Sequence, residues 1–509
     1  MKDWTVMIYL AGDNNLSEEC IWSIKEMYRA GLNTDDIALV AQIDSRARRM
    51  QHFDIGKDLH ALRMETLNAA NKTYRVVEGN AAPKQVLAAN PPPLVSNDGR
   101  DGFLSSRGHK VAVAKAKKAG YTTAAASVPT PPDSMATREA LTSFIKRSTT
   151  EHPAEHYLLI LSGHGAGAVG DSFLVDGFPE SAFSMGELYG ALADAKVQID
   201  VLGMDACSMG MLEVGYQLSE LVSFLVAAEG FELNTGWPYD KVLDTLNGNP
   251  TIQPAELAAK IVDDYTNYYS DYLMAGVSAD LSVCDLTKSK ELAGAVDRLA
   301  KLLTRNLPTA KGTYRDTAHH TVADALLLAH WRAQSYRFDE HTDIWDFCNL
   351  LEGDLNEKGY SDHGVARACV EVKKLIDGTR YAGTTSGYVV KSRHNGGSFQ
   401  HSHGVSIYFP WATFRTAYSE LSFAAATHWG EFLEAYVERT RRLPRAGSGE
   451  RLPVSREDAR TGKRDVIAAG NRDAQTAGNK GDLMVPQVKN PPSHFYQSDL
   501  VKPGGRNQK

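Results

Sequence analysis

The chain has 509 residues, a net charge of −7 and five cysteines, with 43 % apolar and 23 % charged residues. That length exceeds what one hydrophobic core ordinarily organises, so one large α/β unit with additions, or two domains, is expected. The acidic balance supplies no general basic field for nucleic acid, and no run of about 18 apolar residues is present to span a membrane.

Met1-Lys2-Asp3 leads into Trp4–Leu10 without a basic stretch ahead of a long apolar one. Cys20, Cys207, Cys284, Cys348 and Cys369 are odd in number, widely spaced and free of any CxxC pair. Together these features predict a cytoplasmic protein in a reducing compartment.

Trp4–Leu10 reads as a strand that stops at the turn-forming Ala11-Gly12-Asp13-Asn14-Asn15, followed by a helical pattern through Ile21, Ile24 and Met27. Asp36–Ile43 repeats the strand pattern and runs into Asp44. From about 64 to 132 the character changes, with Pro91-Pro92-Pro93, Pro129, Pro131 and Pro132 among many Ala and Ser. No helix or strand pattern holds there, which predicts a long unstructured insertion. Tyr157–Leu161 then leads to Ser162-Gly163-His164-Gly165, and Ile199–Met204 leads to Asp205-Ala206-Cys207-Ser208, with a helix around Met211, Val214 and Leu218.

Strands that are apolar throughout and alternate with helices predict a mostly parallel sheet covered on both faces. Sites in such sheets form in the loops at the carboxyl ends of strands, where His164 and Cys207 both fall. Residues 1–250 are expected to form one unit carrying the insertion. Residues 251–440 form a C-terminal α+β extension, with helices near Glu256–Tyr269 and Lys290–Leu303 and a strand-like Gly404–Pro410, and 441–509 a largely disordered tail.

Peptide cleavage by a thiol needs a thiolate, a histidine to carry the proton and donors for the oxyanion. Cys207, read as following a buried strand at the start of a helix, gains from the helix dipole, which lowers a thiol pKa. Gly165 lets its backbone N–H approach a substrate carbonyl closely, so Gly165 and Cys207 are the candidate oxyanion donors. Taken singly, a cysteine after an apolar strand is commonly a small core residue and a histidine at a turn merely polar surface. Their corresponding positions at the ends of parallel strands favour the catalytic reading.

The two loop motifs, Ser162-Gly163-His164-Gly165 and Asp205-Ala206-Cys207-Ser208-Met209, together with the opening Trp4–Asn15, resemble the clostripain family of cysteine peptidases. So do Glu139–Ile145, Ala227-Ala228-Glu229, Gly236-Trp237-Pro238-Tyr239, Asp343–Phe347 and Gly404–Pro410, giving coverage of about 4–63 and 133–440. The resemblance implies a caspase-like fold for the first unit, shared with gingipains, legumains and caspases. It also implies an endopeptidase with a Cys/His dyad that cleaves after basic residues, Arg above all. Asp205 matches the family's acidic residue at the base of the S1 pocket, where a carboxylate pairs bidentately with guanidinium. An Asp beside a helix N-terminus also serves as a simple cap. Glu229 and Glu232 are candidates for a second acidic wall.

Activation by internal cleavage at a basic residue, common in the family, points to Arg100, Arg107, Lys110 and the Lys115–Lys118 stretch in the insertion. A zymogen opened by itself or by an activating protease, with a regulatory or cell-death role by analogy, is expected. The dyad requires no cofactor. Calcium dependence occurs in part of the family, and no EF-hand loop is present. The partners are protein or peptide substrates with Arg or Lys at the cleaved bond, with no nucleic acid or membrane.

His152-Pro153-Ala154-Glu155-His156 spells HxxEH, but proline just before a strand opposes the helix that metal binding requires. His319-His320 and His401-Ser402-His403 have no carboxylate cluster beside them in sequence. Two rival readings are a catalytically silent caspase-like scaffold and a ligand-sensing α/β protein; the latter leaves the Asp-x-Cys and Ser-Gly-His-Gly combination unexplained.

Overall fold

Residues 4–12 of the strand Lys2–Gly12 (β1) are all buried, as an apolar run between two helical layers requires. After it come the helix Ser17–Ala30 (α1) and the strands Ile37–Ser45 (β2) and Gln51–Asp54 (β3). Helix Arg138–Glu151 (α2) follows, then Ala154–Ser162 (β4), Met185–Ala195 (α3), Ile199–Asp205 (β5), Leu212–Leu218 (α4) and Val222–Ala227 (β6). Tyr239–Gly248 (α5), Pro254–Ser270 (α6), Ala279–Asp285 (β7), Ser289–Asn306 (α7) and Val389–Asn395 (β8) complete the elements around the main sheet. This computed structural model describes residues 1–45, 51–54, 62–68, 73–78 and 134–441, except 171–172, 178–179, 234, 272–276, 310–311, 337–339, 379, 382–383, 386 and 412.

The eight strands lie in the order β8-β7-β6-β5-β4-β1-β2-β3. The central β6, β5, β4, β1 and β2 are mutually parallel, and the antiparallel β3, β7 and β8 form the edges. Strand order reverses between β1 and β4, so the crevice above that pair is the topological switch point at which α/β sheets place their sites. The sheet draws strands from both sides of residue 250.

Side-chain alternation builds the two layers. Met7, Tyr9, Leu159, Leu161, Leu202 and Met204 join the core beneath α2, α3, α4 and α7. Val6, Ile8, Leu10, Leu158, Ile160 and Val201, from the same strands, join the core beneath α1, α5 and α6. Helix α2 starts at Thr137, whose hydroxyl accepts the Ala140 N–H, one of the orphan donors at a helix N-terminus.

One sequence expectation fails at the beginning of the insertion. Leu62–Asn68 and Thr73–Glu78 pair as an antiparallel ladder. Their mixture of β-branched, aromatic and charged residues gives too weak an apolar alternation to register in the sequence. Residues 79–133, with every candidate processing site, and 442–509 lie outside the described residues. No helix among the described residues is long and apolar enough to cross a membrane.

Candidate active site

In the parallel pair β4/β5, Ser162 stands opposite Asp205. The Ser162 hydroxyl donates to Asp205 Oδ2 at 2.9 Å, and the Gly163 N–H donates to the Asp205 carbonyl at 3.1 Å. His164 and Cys207 each follow that rung by two residues. The register therefore delivers both to the same end of the sheet, and each is 1 % exposed.

Cys207 does not begin a helix. Helix α4 starts at Leu212, with Met211 at its cap position, and a helix dipole fades within the first turn. Asp205, further upstream, does not cap it. The Cys207 loop is instead stitched to the loop after β6: the Ser208 N–H donates to the Gly230 carbonyl at 2.8 Å and the Gly210 N–H to the Ala228 carbonyl at 2.7 Å. The Glu232 N–H points at Cys207 Sγ at 3.4 Å. The thiol in turn faces the Glu232 carbonyl at 3.9 Å, so the backbone of one residue, and no helix N-terminus, adjoins the sulfur. Ser208 adopts φ 60°, a left-handed turn that costs a non-glycine residue about 1–2 kcal/mol.

The His164 and Cys207 loops touch at Gly165. A Cβ there would lie 2.5 Å from the Cys207 carbonyl oxygen and 3.1 Å from its nitrogen. This contact brings the two expected oxyanion donors into one backbone neighbourhood. Burial pushes the His164 imidazole down to about 3, and its Nε2 lies 2.7 Å from Asn15 Oδ1. Asn15 follows β1, the strand on the other side of β4.

Asp205 is 1 % exposed on the α5 side of the sheet. Its Oδ2 also accepts the Tyr239 hydroxyl at 2.7 Å. Burial raises its carboxyl while the Tyr239 and Ser162 hydrogen bonds hold it back. Glu232, fully buried beside it, is pushed well up by burial and then by the Asp205 charge, and accepts the Trp237 indole N–H at 3.3 Å. Glu232 is lifted further than Asp205, whose carboxylate has the Tyr239 and Ser162 hydroxyls as donors.

Glu229 belongs to a different group. Its Oε2 accepts the Gly404 N–H at 2.7 Å, while burial, Asp343 and Asp280 lift its carboxyl. Asp280 accepts the Glu229 and Gly230 N–H groups at 2.8 and 3.1 Å, and burial raises it to about 7. Glu232 thus adjoins Asp205, whereas Glu229 ties the loop after β6 to Gly404. On its far side the Cys207 loop meets the strand Ser406–Tyr408: the Ser406 N–H donates to the Gly210 carbonyl at 2.9 Å, and Glu213 accepts the Tyr408 N–H at 2.9 Å and the Tyr418 hydroxyl at 3.2 Å.

His152 ends α2 while His156 lies in β4, 3.4 Å from Asp200, so the HxxEH letters are split between two elements. Among the described residues no group of three His, Cys, Asp or Glu side chains is arranged to hold a metal ion. Sequence reading did not single out Asn15, Ser162, Tyr239 or Glu213. For Asn15 a signal existed, since a polar Asp-Asn-Asn run ends the strand beside the histidine strand.

A model of peptidase C11, the clostripain family, matches residues 8–436. Clostripain of Hathewaya histolytica is 24 % identical over 418 residues, spanning 73 % of this chain and 70 % of that protein. Two solved structures from Bacteroides thetaiotaomicron, a secreted C11 cysteine protease with an irreversible peptide inhibitor and the protease called iotapain, superpose with a TM-score of 0.52. They cover 84 % of this chain and 99 % of their own, at 16 and 15 % identity, a likeness of fold. The cytoplasmic expectation is corrected by the secreted neighbour. Its premise was weak, because all five cysteines are buried, and a buried thiol packs as a small hydrophobe in any compartment. With the family model matching through most of its length, this chain belongs to the clostripain family and is a cysteine endopeptidase.

Proposed function

We propose that the chain cleaves protein and peptide substrates after basic residues, Arg above all, with Cys207 as nucleophile and His164 as its general base. The proton of the Cys207 thiol passes to the imidazole, and the thiolate attacks the scissile carbonyl. The N–H groups of Gly165 and Cys207 receive the oxyanion. The imidazolium gives its proton to the leaving amine, and water hydrolyses the thioester. The observation that carries this reading is the Ser162–Asp205 rung, from which both reacting side chains emerge in step.

Asp205 supplies the charge that selects guanidinium, with Glu232 beside it. Latency is supported by burial: at 1 % exposure neither Cys207 nor His164 is open to a polypeptide. Burial also keeps His164 neutral down to about pH 3, which denies a thiolate its imidazolium partner. Cleavage within 64–132 at Arg100, Arg107, Lys110 or Lys118, by the chain itself or by an activating protease, opens the site. The chemistry of the dyad calls on no cofactor.

The test is turnover of fluorogenic peptides ending in Arg, Lys or Asp, by the parent and Cys207→Ala, before and after limited trypsin treatment, in calcium and in EDTA. Arg-selective turnover that appears after trypsin and vanishes in Cys207→Ala is the expected result. Absence of turnover under every condition supports the silent-scaffold reading instead.

A further inference from the structure

We infer that Asn15 is a positioning residue of the reaction, its side-chain oxygen holding the Nε2–H of His164 so that Nδ1 is the nitrogen that exchanges the proton with Cys207. The inference rests on the dyad proposed above and extends it to a third residue.

A neutral imidazole carries one N–H, and the partner of that N–H decides which nitrogen is basic. Asn15 Oδ1 lies 2.7 Å from His164 Nε2. An amide oxygen only accepts, so Nε2 is the donor and Nδ1 the base. The placement of Asn15 follows from the fold. Leu10 of β1 pairs with Ser162 of β4, which brings the Asp13-Asn14-Asn15 turn level with the histidine loop at the switch point. Asn14 secures that turn, its amide donating to the Ala11 carbonyl at 2.9 Å and to the Val175 carbonyl at 2.8 Å. Its Oδ1 accepts the Leu16 N–H at 2.8 Å. The Leu174 N–H donates to the His164 carbonyl at 2.8 Å, so the 174–175 segment contacts both the histidine and the asparagine turn.

The chemistry favours a neutral acceptor here. A carboxylate in the same place would attract the imidazolium and raise the His164 pKa, whereas an amide orients the ring without adding charge. The histidine remains available as a base while its geometry stays fixed. Burial of His164 at 1 % exposure makes the hydrogen bond to Asn15 stronger than it would be in water.

The experiment uses the full chain after limited trypsin treatment and compares the parent with Asn15→Ala, Asn15→Asp and Cys207→Ala on an Arg peptide across pH. Asn15→Ala is expected to lower kcat about 10- to 100-fold at little-changed KM. Asn15→Asp keeps an acceptor and is expected to recover part of kcat while moving the acid limb of the kcat/KM profile to higher pH. A readout independent of turnover is the nitrogen NMR of His164, assigned by difference from His164→Gln: protonation at Nε2 in the parent and in Asn15→Asp, and mixed tautomers in Asn15→Ala. Parent-like kcat, pH profile and tautomer in folded Asn15→Ala overturn the inference. If only Asn15→Asp folds, an acid limb unchanged from the parent does so. Should Cys207→Ala retain full turnover, the dyad itself is wrong and Asn15 falls with it; an inactive Cys207→Ala beside an unaffected Asn15→Ala removes Asn15 alone.

Discussion

Ser162 and Asp205 meet side chain to side chain, at 2.9 Å, on the rung from which the histidine and cysteine loops depart. The contact ties the acid proposed to read the substrate to the strand that presents the base. Asp205→Asn retains an oxygen for Ser162 and Tyr239 but removes the charge, so its effect should fall on guanidinium. A charged hydrogen-bonded pair contributes about 1.5–3 kcal/mol, or roughly a 10- to 150-fold change. We expect kcat/KM for an Arg peptide to fall by that factor in Asp205→Asn, and that for the isosteric neutral citrulline peptide to stay nearly constant. An equal fall for both peptides would place Asp205 in the framework and outside recognition.

Gly236 fixes the other wall of the same acid. It adopts φ +69°, and a Cβ there would lie 2.6 Å from Asp205 Oδ2. Gly236→Ala is therefore strained twice, by backbone and by contact, and should cost more than about 1–2 kcal/mol of stability. Displacement of the carboxylate should also raise KM for Arg peptides. Denaturant unfolding and steady-state kinetics on one preparation check both; an unchanged unfolding midpoint would contradict the geometry.

Glu213 makes stability depend on pH. Burial raises its carboxyl from 4.5 to about 7. A raised carboxyl binds more protons folded than unfolded between those values, so its contribution is fully present below the unfolded pKa and is lost as pH rises through 7. The change amounts to about 3 kcal/mol. Glu213→Gln keeps an oxygen for Tyr408 and Tyr418 and does not titrate. Its stability relative to the parent should rise by about 2–3 kcal/mol between about pH 5 and about pH 8.5, read from urea unfolding at each pH. Other buried carboxyls titrate in both proteins and cancel. Parallel curves for the two would place the Glu213 pKa in its ordinary range.

Much of this site was legible before the fold. Apolar runs ending in Ser-Gly-His-Gly and Asp-Ala-Cys mark strand ends, and a parallel sheet brings the ends of neighbouring strands together. What the sequence misjudged was the four residues between Cys207 and Leu212. Met211, Val214 and Leu218 have helical spacing, but the backbone of 208–210 is committed to Ala228 and Gly230, a long-range pairing that no local pattern encodes. For Asn15 the polar run at the end of β1 was visible, but its partner was not: His164 is 149 positions away, and only strand order brings the two together.

Gly165 gives the sharpest test of how closely the two loops must approach. The Cβ of an alanine there would press against the Cys207 carbonyl oxygen at 2.5 Å and approach its nitrogen at 3.1 Å. The first is backbone that cannot rotate aside, so the loops must part by several tenths of an ångström. The strands below are held by their ladder and by both cores, which localises the strain to the loops. Gly165→Ala should therefore fold with a modest loss of stability, while an oxyanion donor moves out of line, a change that costs about 100- to 1,000-fold in kcat. The comparison to make is kcat against the rate at which iodoacetamide alkylates Cys207 in the trypsin-treated protein. Loss of kcat with alkylation largely preserved would locate the damage in oxyanion stabilisation; loss of both in step would show that the glycine is needed to position the thiol itself.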